Sequence, residues 1–210
     1  EVIDTAGIKR RTKIKEDVEF YSTIRARDSL RQADVALLMV DGQRGATHQE
    51  QRIAEALAKS GVGVIILLNK WDLVEKDHKS TKHYTEAIHQ KIAPFTDVPI
   101  LFISALTKQR VFKAVEMAIE VYHNTNRRVS TSKLNDLMLP IMQDKPPPSK
   151  KGKYIKIKYV TQLTSDRVAF VFFCNLPQYV KEPYKRFLEN KLREHFDFHG
   201  VPVSVYMRKK

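Results

Sequence analysis

The chain has 210 residues, 42% of them hydrophobic, which is enough apolar material for one or two folded domains. A single cysteine excludes a disulfide-stapled fold, and the lack of any run of about 18 apolar residues or of a signal-like start argues against membrane insertion and secretion. The net charge of +13 is concentrated in the last 80 residues, which hold 16 Lys and Arg against 7 Asp and Glu. This surplus favours a polyanionic partner such as RNA, the alternative being a basic surface that is only solvated.

Helical and apolar strand patterns alternate along the first 122 residues. Thr47 and Glu50 stand at the spacing of a capping box, which predicts the start of a helix. Apolar residues follow at helical spacing up to Gly61, so a short amphipathic helix is predicted from Thr47 to Gly61. In chain order, the patterns predict a helix over 16–32, a strand over 33–41, this helix over 47–61, a strand within 62–72, a helix over 81–91, a strand within 98–106 and a helix over 111–122. Because the strands are apolar on both faces, we expect an α/β fold with a doubly wound, mostly parallel sheet.

Three polar motifs follow strand patterns and therefore gather at one rim of the predicted sheet, where such folds bind ligands. They are DTAG at 4–7, NKWD at 69–72 and SAL at 104–106. An aspartate at the end of a strand, followed by a small flexible turn, can place a Mg²⁺ partner and a backbone N–H beside the terminal phosphate of a nucleotide. Taken alone, DTAG is more typical of a plain turn after a strand than of a phosphate site.

NKWD predicts guanine specificity. Asp72 can accept two parallel hydrogen bonds from N1–H and N2–H₂ of guanine, a donor pair that adenine lacks. Asn69 can reach N7 of the base and tie neighbouring loops together, while the aliphatic stem of Lys70 can lie along the base plane. Trp71 is predicted to pack in the core, and the backbone N–H groups of SAL would meet guanine O6.

A polar stretch, NTNRRVSTS at 124–132, separates these elements from a second module. The module is predicted to contain a helix over 133–143, strands within 154–162 and 168–175, a helix over 183–196 and a strand over 201–207. This α-β-β-α-β order predicts a small sheet with helices on one face. Cys174 lies inside an apolar strand and is expected in the core, and the seven histidines show no metal-binding spacing.

In this order and on strands of this type, DTAG, NKWD and SAL resemble the third, fourth and fifth motifs of the translation-factor-like GTPases. The segments KIKEDVEFYSTIRARDSLRQADVALLMVDGQRGATHQEQRIA, NKWDL, KYVTQ, FVFFCN, YKRFLENKLREHF and GVPVSVYMRKK further resemble the second GTPase domain and the C-terminal KH-like domain of the EngA/Der family. The resemblance spans essentially the whole chain. It implies a partial P-loop GTPase domain over 1–128 and a KH-like domain over 129–210.

The resemblance also implies a function. It implies a bacterial, cytoplasmic, monomeric GTPase that binds GTP or GDP with Mg²⁺ and takes part in assembly of the large (50S) ribosomal subunit. Its implied partners are that subunit and ribosomal RNA. The implied nucleotide-binding residues are Asp4, Thr5, Ala6, Gly7, Ile8, Asn69, Lys70, Asp72, Ser104, Ala105 and Leu106.

Within DTAG, the resemblance implies separate roles. Asp4 would face Mg²⁺ through a water molecule, and Gly7 would donate its N–H to the γ-phosphate. Ile8 occupies the place where Ras-like enzymes hold a Gln that orients water, and Ile forms no hydrogen bond. Relatives that lack this Gln use a monovalent cation near the phosphates, so we expect such a cation here and assign no catalytic residue.

The phosphate-loop pattern G-x-x-x-x-G-K-[ST] and a switch threonine before DTAG do not occur in the 210 residues. We therefore expect the chain to be the C-terminal part of a larger protein with two tandem GTPase domains. In this GTPase fold, the strand that leads into the phosphate loop is central to the sheet. The 210 residues alone are thus predicted to form no stable GTPase sheet, to bind GTP poorly and to be inactive, while the C-terminal module can fold alone.

The KH-like module lacks the G-x-x-G loop with which KH domains clamp a nucleic-acid backbone, since the corresponding segment NLPQYVKEPY contains no Gly. Phosphate contacts are predicted instead from a basic loop (Lys150, Lys151 and Lys153) and a basic C-terminus (Arg208, Lys209 and Lys210). Two alternatives stay open. One is an Era-like GTPase with a single GTPase domain before its KH domain, against which the absent G-x-x-G argues; the other is an RNA-binding module that needs no nucleotide.

Overall fold

The computed structural model describes residues 33–75, 80–93, 97–150 and 152–210. They fall into two compact units. The first contains the described residues up to Tyr122 together with Gly200–Pro202, and the second contains His123–His199 and Val203–Lys210. The helix predicted over 16–32 and the DTAG motif lie outside the described residues, and the domain limits of 1–128 and 129–210 stay a prediction.

The first unit is a parallel α/β sheet with its connecting helices. Its elements are β1 (Val35–Asp41), α1 (His48–Ser60), β2 (Gly63–Asn69), α2 (Ser80–Ile92), β3 (Ile100–Phe102) and most of α3 (Val111–Thr125), whose last three residues belong to the second unit. The strand order is β1-β2-β3, and both pairings are parallel. The α/β class and parallel sheet that the alternating patterns predict are therefore confirmed.

Strand β2 is the middle one of the three described strands of this sheet, and six of its seven residues are buried. A parallel strand between two neighbours requires apolar side chains on both faces, as its sequence provides. Strand β1 is buried on one face only: Leu38 and Val40 lie in the core, whereas Leu37 and Met39 expose 43% and 48% of their surface. The core on the buried face is completed from the helices by Ala54, Leu57, Ile88 and Ile92.

Helix α1 begins and ends where its local signals predict. The side chain of Thr47 accepts a hydrogen bond from the first turn, and the backbone N–H of Thr47 donates to Glu50 at 2.9 Å. Gly61 follows the helix in the left-handed conformation, with φ 73°, which glycine adopts without steric cost. This capping box fixes the entry of the chain into α1 and so holds the loop that leaves β1.

Helix α3 carries an apolar stripe on its exposed side. Phe112, Val115 and Ile119 lie on one face at helical spacing, and Phe112 exposes 81% of its surface. Ala114 and Val121, on the opposite side, are buried. None of the described helices combines the length and apolarity needed to cross a membrane.

The second unit is a three-stranded sheet with two helices, and it confirms the predicted α-β-β-α-β order. Its elements are α4 (Thr131–Asp144), β4 (Ile157–Gln162), β5 (Ala169–Cys174), α5 (Glu182–His195) and β6 (Ser204–Lys209). β5 is central, antiparallel to β4 and parallel to β6. Its fully buried core includes Leu134, Met138, Phe170, Phe172, Cys174, Leu188 and Leu192. The predicted burial of Cys174 is thus confirmed, and burial raises the pKa of its thiol.

Two carboxamide side chains occupy the outer edge of β4. Asn135 of α4 donates to the Val160 carbonyl and accepts from the Val160 N–H, both at 2.9 Å. Gln162 accepts from the Val129 N–H at 2.8 Å and donates to the Arg127 carbonyl at 2.9 Å. Side chains thereby satisfy backbone groups that would otherwise lack a partner, and they fix α4 against the sheet.

Candidate functional site

NKWD begins at the C-terminal end of β2, where the strand gives way to a tight turn. Asn69 is the last residue of β2, and Lys70 has a left-handed backbone conformation, φ 61°, before the 3₁₀ turn Trp71–Leu73. Oδ1 of Asn69 accepts hydrogen bonds from the backbone N–H groups of Lys70 and Ala105, at 2.8 and 2.9 Å. One side chain therefore joins the NKWD and SAL loops.

Asp72 lies in the 3₁₀ turn and is partly buried. Among the described residues, none donates a hydrogen bond to its carboxylate and none forms an ion pair with it. An ionised carboxylate accepts through two oxygens, so Asp72 can receive a planar pair of donors. N1–H and N2–H₂ of guanine form such a pair, and the geometry is compatible with the role predicted for Asp72.

Trp71 anchors this turn in the core. Its surface is 4% exposed, and its ring centroid lies 4.5 Å from that of Phe102 and 5.3 Å from that of Tyr84. Its backbone N–H donates to the Ile103 carbonyl at 3.0 Å. The packing role predicted for Trp71 is confirmed. Burial of a large aromatic side chain stabilises a fold by roughly 1.5–3 kcal/mol, and here it fixes the turn that presents Asp72.

An ion pair links NKWD to the end of β1. Nζ of Lys70 lies 2.7 Å from Oδ2 of Asp41, and Asp41 also accepts the Gln43 N–H at 2.9 Å. The hydrogen bond from Lys70 holds the pKa of Asp41 below its ordinary value. Because both side chains are partly exposed, the pair adds little stability, and its effect is to position the stem of Lys70. Sequence reasoning missed Asp41, although its place at the end of a strand was a signal.

Gly42 is a second residue that sequence reasoning missed. Its N–H donates to the Asn69 carbonyl at 2.8 Å. A Cβ at position 42 would lie 2.8 Å from that same carbonyl oxygen, which is closer than real Cβ atoms approach. Glycine is therefore required for the backbone to pass this close to the start of NKWD.

The SAL loop is closed by its own hydrogen bonds. Ser104 is fully buried, its N–H donates to the Gln109 carbonyl at 3.2 Å, and its Oγ accepts the Thr107 N–H at 3.1 Å. Ala105 and Leu106 are exposed. Because the Ala105 N–H already bonds Asn69, guanine O6 would have to share this donor, and the predicted contact with O6 stays a prediction.

The phosphate side of the predicted site is not among the described residues. Asp4, Thr5, Ala6, Gly7 and Ile8 all lie outside them, so the Mg²⁺ and phosphate contacts assigned to DTAG stay predictions. Within the described ranges, no group of three or more His, Cys, Asp or Glu residues is placed to hold a metal ion. The described part of the predicted site is the side predicted to bind the base.

In the second unit, the two predicted basic segments lie at the same end of the sheet. Lys150 and Lys153 bond each other's backbone, at N···O distances of 3.2 and 3.0 Å, in a turn where Gly152 has φ 71°. The N–H of Lys210 donates to the carbonyl of Cys174, the last residue of β5, at 3.4 Å. The N–H of Asn175, which follows β5, donates to the carbonyl of Lys156, just before β4, at 3.3 Å. The turn before β4 and the end of β6 therefore flank the same end of β5.

Two of these lysines lie over aromatic rings. Nζ of Lys150 is 5.2 Å from the ring centroid of Tyr179, and Nζ of Lys210 is 5.3 Å from that of Tyr159. These contacts orient flexible side chains without consuming their charge. Of the remaining predicted residues, Arg208 and Lys209 are exposed and Lys151 lies outside the described residues.

A shallow cavity of about 460 Å³ opens in the second unit between the start of α4 and the end of α5. It contains none of the predicted site residues. It is lined by Ser130, Ser132, Lys133, Asp136, Leu137, His195 and Phe196. Its polar side chains are exposed to solvent, so the cavity lacks the buried, convergent polar groups that orient a small ligand.

Two family models match the chain. The model described as "Elongation factor Tu GTP binding domain" matches residues 17–124. The model described as "KH-domain-like of EngA bacterial GTPase enzymes, C-terminal" matches residues 128–208.

The chain is also similar to curated proteins. "GTPase Der" of Flavobacterium johnsoniae is 54% identical over 209 residues, which cover 100% of this chain and 48% of that relative. "GTPase Der" of Christiangramia forsetii is 52% identical over 209 residues with the same coverage. The chain thus spans about half the length of the curated relatives it matches. Among solved structures, "Era in complex with MgGDPNP and nucleotides 1506-1542 of 16S ribosomal RNA" has a TM-score of 0.49 and 19% identity, covering 99% of this chain and 74% of that one.

Proposed function

This chain belongs to the GTPase family of the elongation factor Tu GTP-binding domain and carries the KH-like domain of the EngA GTPases, and on that premise we propose that it is part of a GTP-controlled ribosome assembly factor. In this proposal the first unit binds guanine nucleotide and, in a polypeptide that also holds a phosphate loop, GTP is hydrolysed to GDP and phosphate. The second unit contacts ribosomal RNA during assembly of the large (50S) subunit. The protein acts as a monomer in the cytoplasm.

The observation that carries the proposal is the carboxylate of Asp72, which bonds to none of the described residues and lies on a well-anchored turn. Trp71 anchors this turn in the core. Oδ1 of Asn69 accepts hydrogen bonds from the NKWD and SAL loops and so holds the turn to its neighbour. A recognition group that is fixed before the ligand arrives loses little conformational entropy on binding. Asp72 is thus an acceptor in a fixed place, which suits a base with two adjacent donors.

Guanine binding would also tighten the link between the two loops. Asn69 already joins NKWD to Ala105, and guanine would add contacts to Asp72 and to the SAL backbone. Each hydrogen bond to a charged group contributes about 1.5–3 kcal/mol, so most of the base specificity would come from Asp72. Lys70, positioned by Asp41 at 2.7 Å, would pack its stem against the base plane.

The phosphate side of the proposal rests on DTAG. Asp4 would hold Mg²⁺ through a water molecule and Gly7 would donate its N–H to the γ-phosphate. Bound Mg²⁺ neutralises charge that develops on the phosphates during phosphoryl transfer. Because Ile8 offers no hydrogen bond to water, we propose that a monovalent cation near the phosphates takes part as well.

The RNA side of the proposal rests on charge and placement. The basic loop and the basic C-terminus flank one end of β5, and their exposed ammonium and guanidinium groups can neutralise several phosphates together. Release of the counterions held by those phosphates would favour binding and make it depend on salt. The nucleotide bound to the first unit would then set whether this surface engages the large subunit.

Nucleotide titration calorimetry and ribosome cosedimentation test the proposal. Where the natural polypeptide extends beyond these 210 residues, the extended polypeptide is used. GTP and GDP should bind at least about 100-fold more tightly than ATP, because adenine leaves the Asp72 carboxylate without a partner. Cosedimentation with purified 50S subunits should differ between GTP and GDP.

Two results would contradict the proposal in different ways. Equal affinity for ATP and GTP would refute the guanine assignment. Binding to 50S subunits or RNA that is identical with GTP, with GDP and without nucleotide would favour an RNA-binding module that needs no nucleotide.

A further inference from the structure

We propose that the face of the second unit's sheet that carries the half-exposed Tyr206 binds unpaired RNA bases by stacking. The KH-like domain would then hold single-stranded RNA on a sheet surface, in place of the absent G-x-x-G loop. This inference rests on the RNA contact proposed above and extends it from phosphates to bases.

The two faces of this sheet differ in burial. One face lies in the core and carries Phe170, Phe172 and Cys174 of β5, all fully buried. Successive side chains of a strand alternate between faces, so Val171, which is also fully buried, and Phe173, which is partly buried, point to the opposite face. Strand register sets Tyr159 and Arg208 beside Phe173, and Tyr206 beside Val171. The second face thus groups three aromatic rings around a central strand; we call it the aromatic face.

The rings of the aromatic face offer surfaces on which a base can stack. Tyr206 exposes 50% of its surface. Tyr159 and Phe173 are stacked on each other, with centroids 4.4 Å apart and 16° between ring planes. Beyond this pair lies Nζ of Lys210, 5.3 Å from the Tyr159 centroid. A base can stack on Tyr206 directly, and a second can stack beside the ring pair by displacing the flexible lysine toward a phosphate.

Charge on these strands selects the class of partner. On the aromatic face, the strand register places Arg208 beside Phe173, and Nζ of Lys210 lies over the Tyr159 ring. The strands β4, β5 and β6 contain no acidic residue. Cations at the rim and aromatic rings between them are the two components of single-strand binding surfaces, one for phosphates and one for bases. A surface with a single sign of charge favours a polyanion over a protein of mixed surface charge.

The geometry also separates single-stranded from double-stranded RNA. Bases in a duplex are paired and stacked on each other inside the helix, so their faces are not available to a flat protein surface. A duplex can still contact the lysines through its phosphates. The aromatic face should therefore strengthen binding of unpaired RNA and leave duplex binding unchanged.

The experiment measures fluorescence anisotropy of 5′-fluorescein-labelled decauridine, and of a labelled ten-base-pair RNA duplex, with the natural polypeptide where it extends beyond these 210 residues. Salt is held constant for the ring variants and varied over a series of concentrations for the lysine variants. Tyr206→Leu keeps an apolar side chain but removes the ring. It should weaken decauridine binding about tenfold, the effect of one lost stacked base, and leave duplex binding within about twofold. Tyr206→Trp, which keeps a ring, should bind decauridine at least as tightly as the unmodified chain.

A matched control variant separates this face from exposed aromatic surface in general. Phe112→Leu removes an exposed ring on α3, in the first unit, and should leave both RNA affinities unchanged. Alanine at Lys150 and Lys153 should flatten the salt dependence of both RNAs, because those lysines are proposed to contact phosphates only.

Each outcome decides the proposal. Unchanged decauridine affinity in Tyr206→Leu overturns the proposal, and so does an equal loss of duplex binding or an equal loss in Tyr206→Trp. If Tyr206→Leu has no effect while the alanines at Lys150 and Lys153 flatten the salt slope, the proposed phosphate contact stands and only the stacking role is wrong. If the unmodified chain binds neither RNA, both are wrong.

Discussion

Replacing Asp72 with Asn tests base recognition directly. The carboxylate accepts two parallel hydrogen bonds, whereas an amide offers one acceptor and one donor, so its NH₂ would face an N–H of guanine. No described residue bonds to this carboxylate, so the substitution removes no contact of the described fold. The loss of a desolvated, charge-assisted pair should cost on the order of 2 to 4 kcal/mol. GDP affinity should therefore fall by roughly 30-fold to 1,000-fold.

The same variant should gain affinity for xanthine nucleotides. Xanthine carries a carbonyl where guanine carries N2–H₂, and that carbonyl can accept the new amide N–H of Asp72→Asn. A reversal of preference between GDP and XDP cannot come from general damage to the fold, which would weaken both.

Calorimetric titration with GDP and XDP measures both effects, again in the natural polypeptide where it extends beyond these residues. Glu75→Gln is the matched control, because it removes the same charge from an exposed position three residues further along. It should change GDP affinity by less than about twofold. Unchanged GDP affinity in Asp72→Asn, or a loss of equal size in Glu75→Gln, would refute the base contact assigned to Asp72.

Three further predictions concern the second unit. Asn135→Ala should lower the free energy of unfolding by about 1 to 3 kcal/mol, since it leaves both edge groups of Val160 unpaired; urea unfolding measures this, with exposed Ser132→Ala as the control expected to change it little. Burial raises the pKa of Tyr184 to about 12, so the stability that depends on its neutral hydroxyl should be present below about pH 10 and be lost as the pH rises toward 12. The Tyr184→Phe variant should not show this loss, and pH profiles of unfolding that are identical in the variant and the unmodified chain would contradict the assignment. Replacing the three lysines of the basic loop with Ala should flatten the slope of log RNA affinity against log salt by up to about 2 to 3 units without changing GDP binding, whereas an unaltered slope would mean that these lysines are only solvated.

Elements with local signals were predictable almost to the residue. The start of α1 is marked by Thr47 and Glu50, and its end by Gly61, because a cap depends on residues within one turn of the helix end. The end of α3 was predicted three residues too early. The helix runs to Thr125 because Asn124 is buried and bonded to a carbonyl 75 residues away, and no local pattern reports such a contact.

Strand limits and side-chain pairings depend on the partner strand, so the sequence predicts them less well. The last strand was predicted over 201–207 but spans Ser204–Lys209, which is where β5 provides neighbours for it. The Tyr159–Phe173 stack depends on register in the same way. A pattern of alternating apolar residues gives the face of each side chain and leaves its cross-strand neighbour undetermined.

The motif proposed to bind the base could be predicted because its chemistry is encoded in four consecutive residues. The groups that support it could not. Asp41 and Gly42 come from another strand and reach NKWD only because β1 and β2 pair in full register. The spacing between Gly42 and the Asn69 carbonyl is a property of two backbones in contact. A single glycine after a strand is equally typical of an ordinary turn or loop, so it does not indicate a close backbone approach.

The amide side chains along β4 have a consequence for how the protein behaves at high concentration. β4 is an edge strand, and an unpaired edge is the usual starting point for intermolecular β-sheet growth and aggregation. Asn135 takes both outward groups of Val160, and Gln162 holds the backbone of the preceding segment alongside. A second molecule would have to displace a folded helix before it could add a strand there. The opposite edge, β6, ends in Arg208 and Lys209, whose like charges repel another copy, so neither edge of this sheet favours self-association.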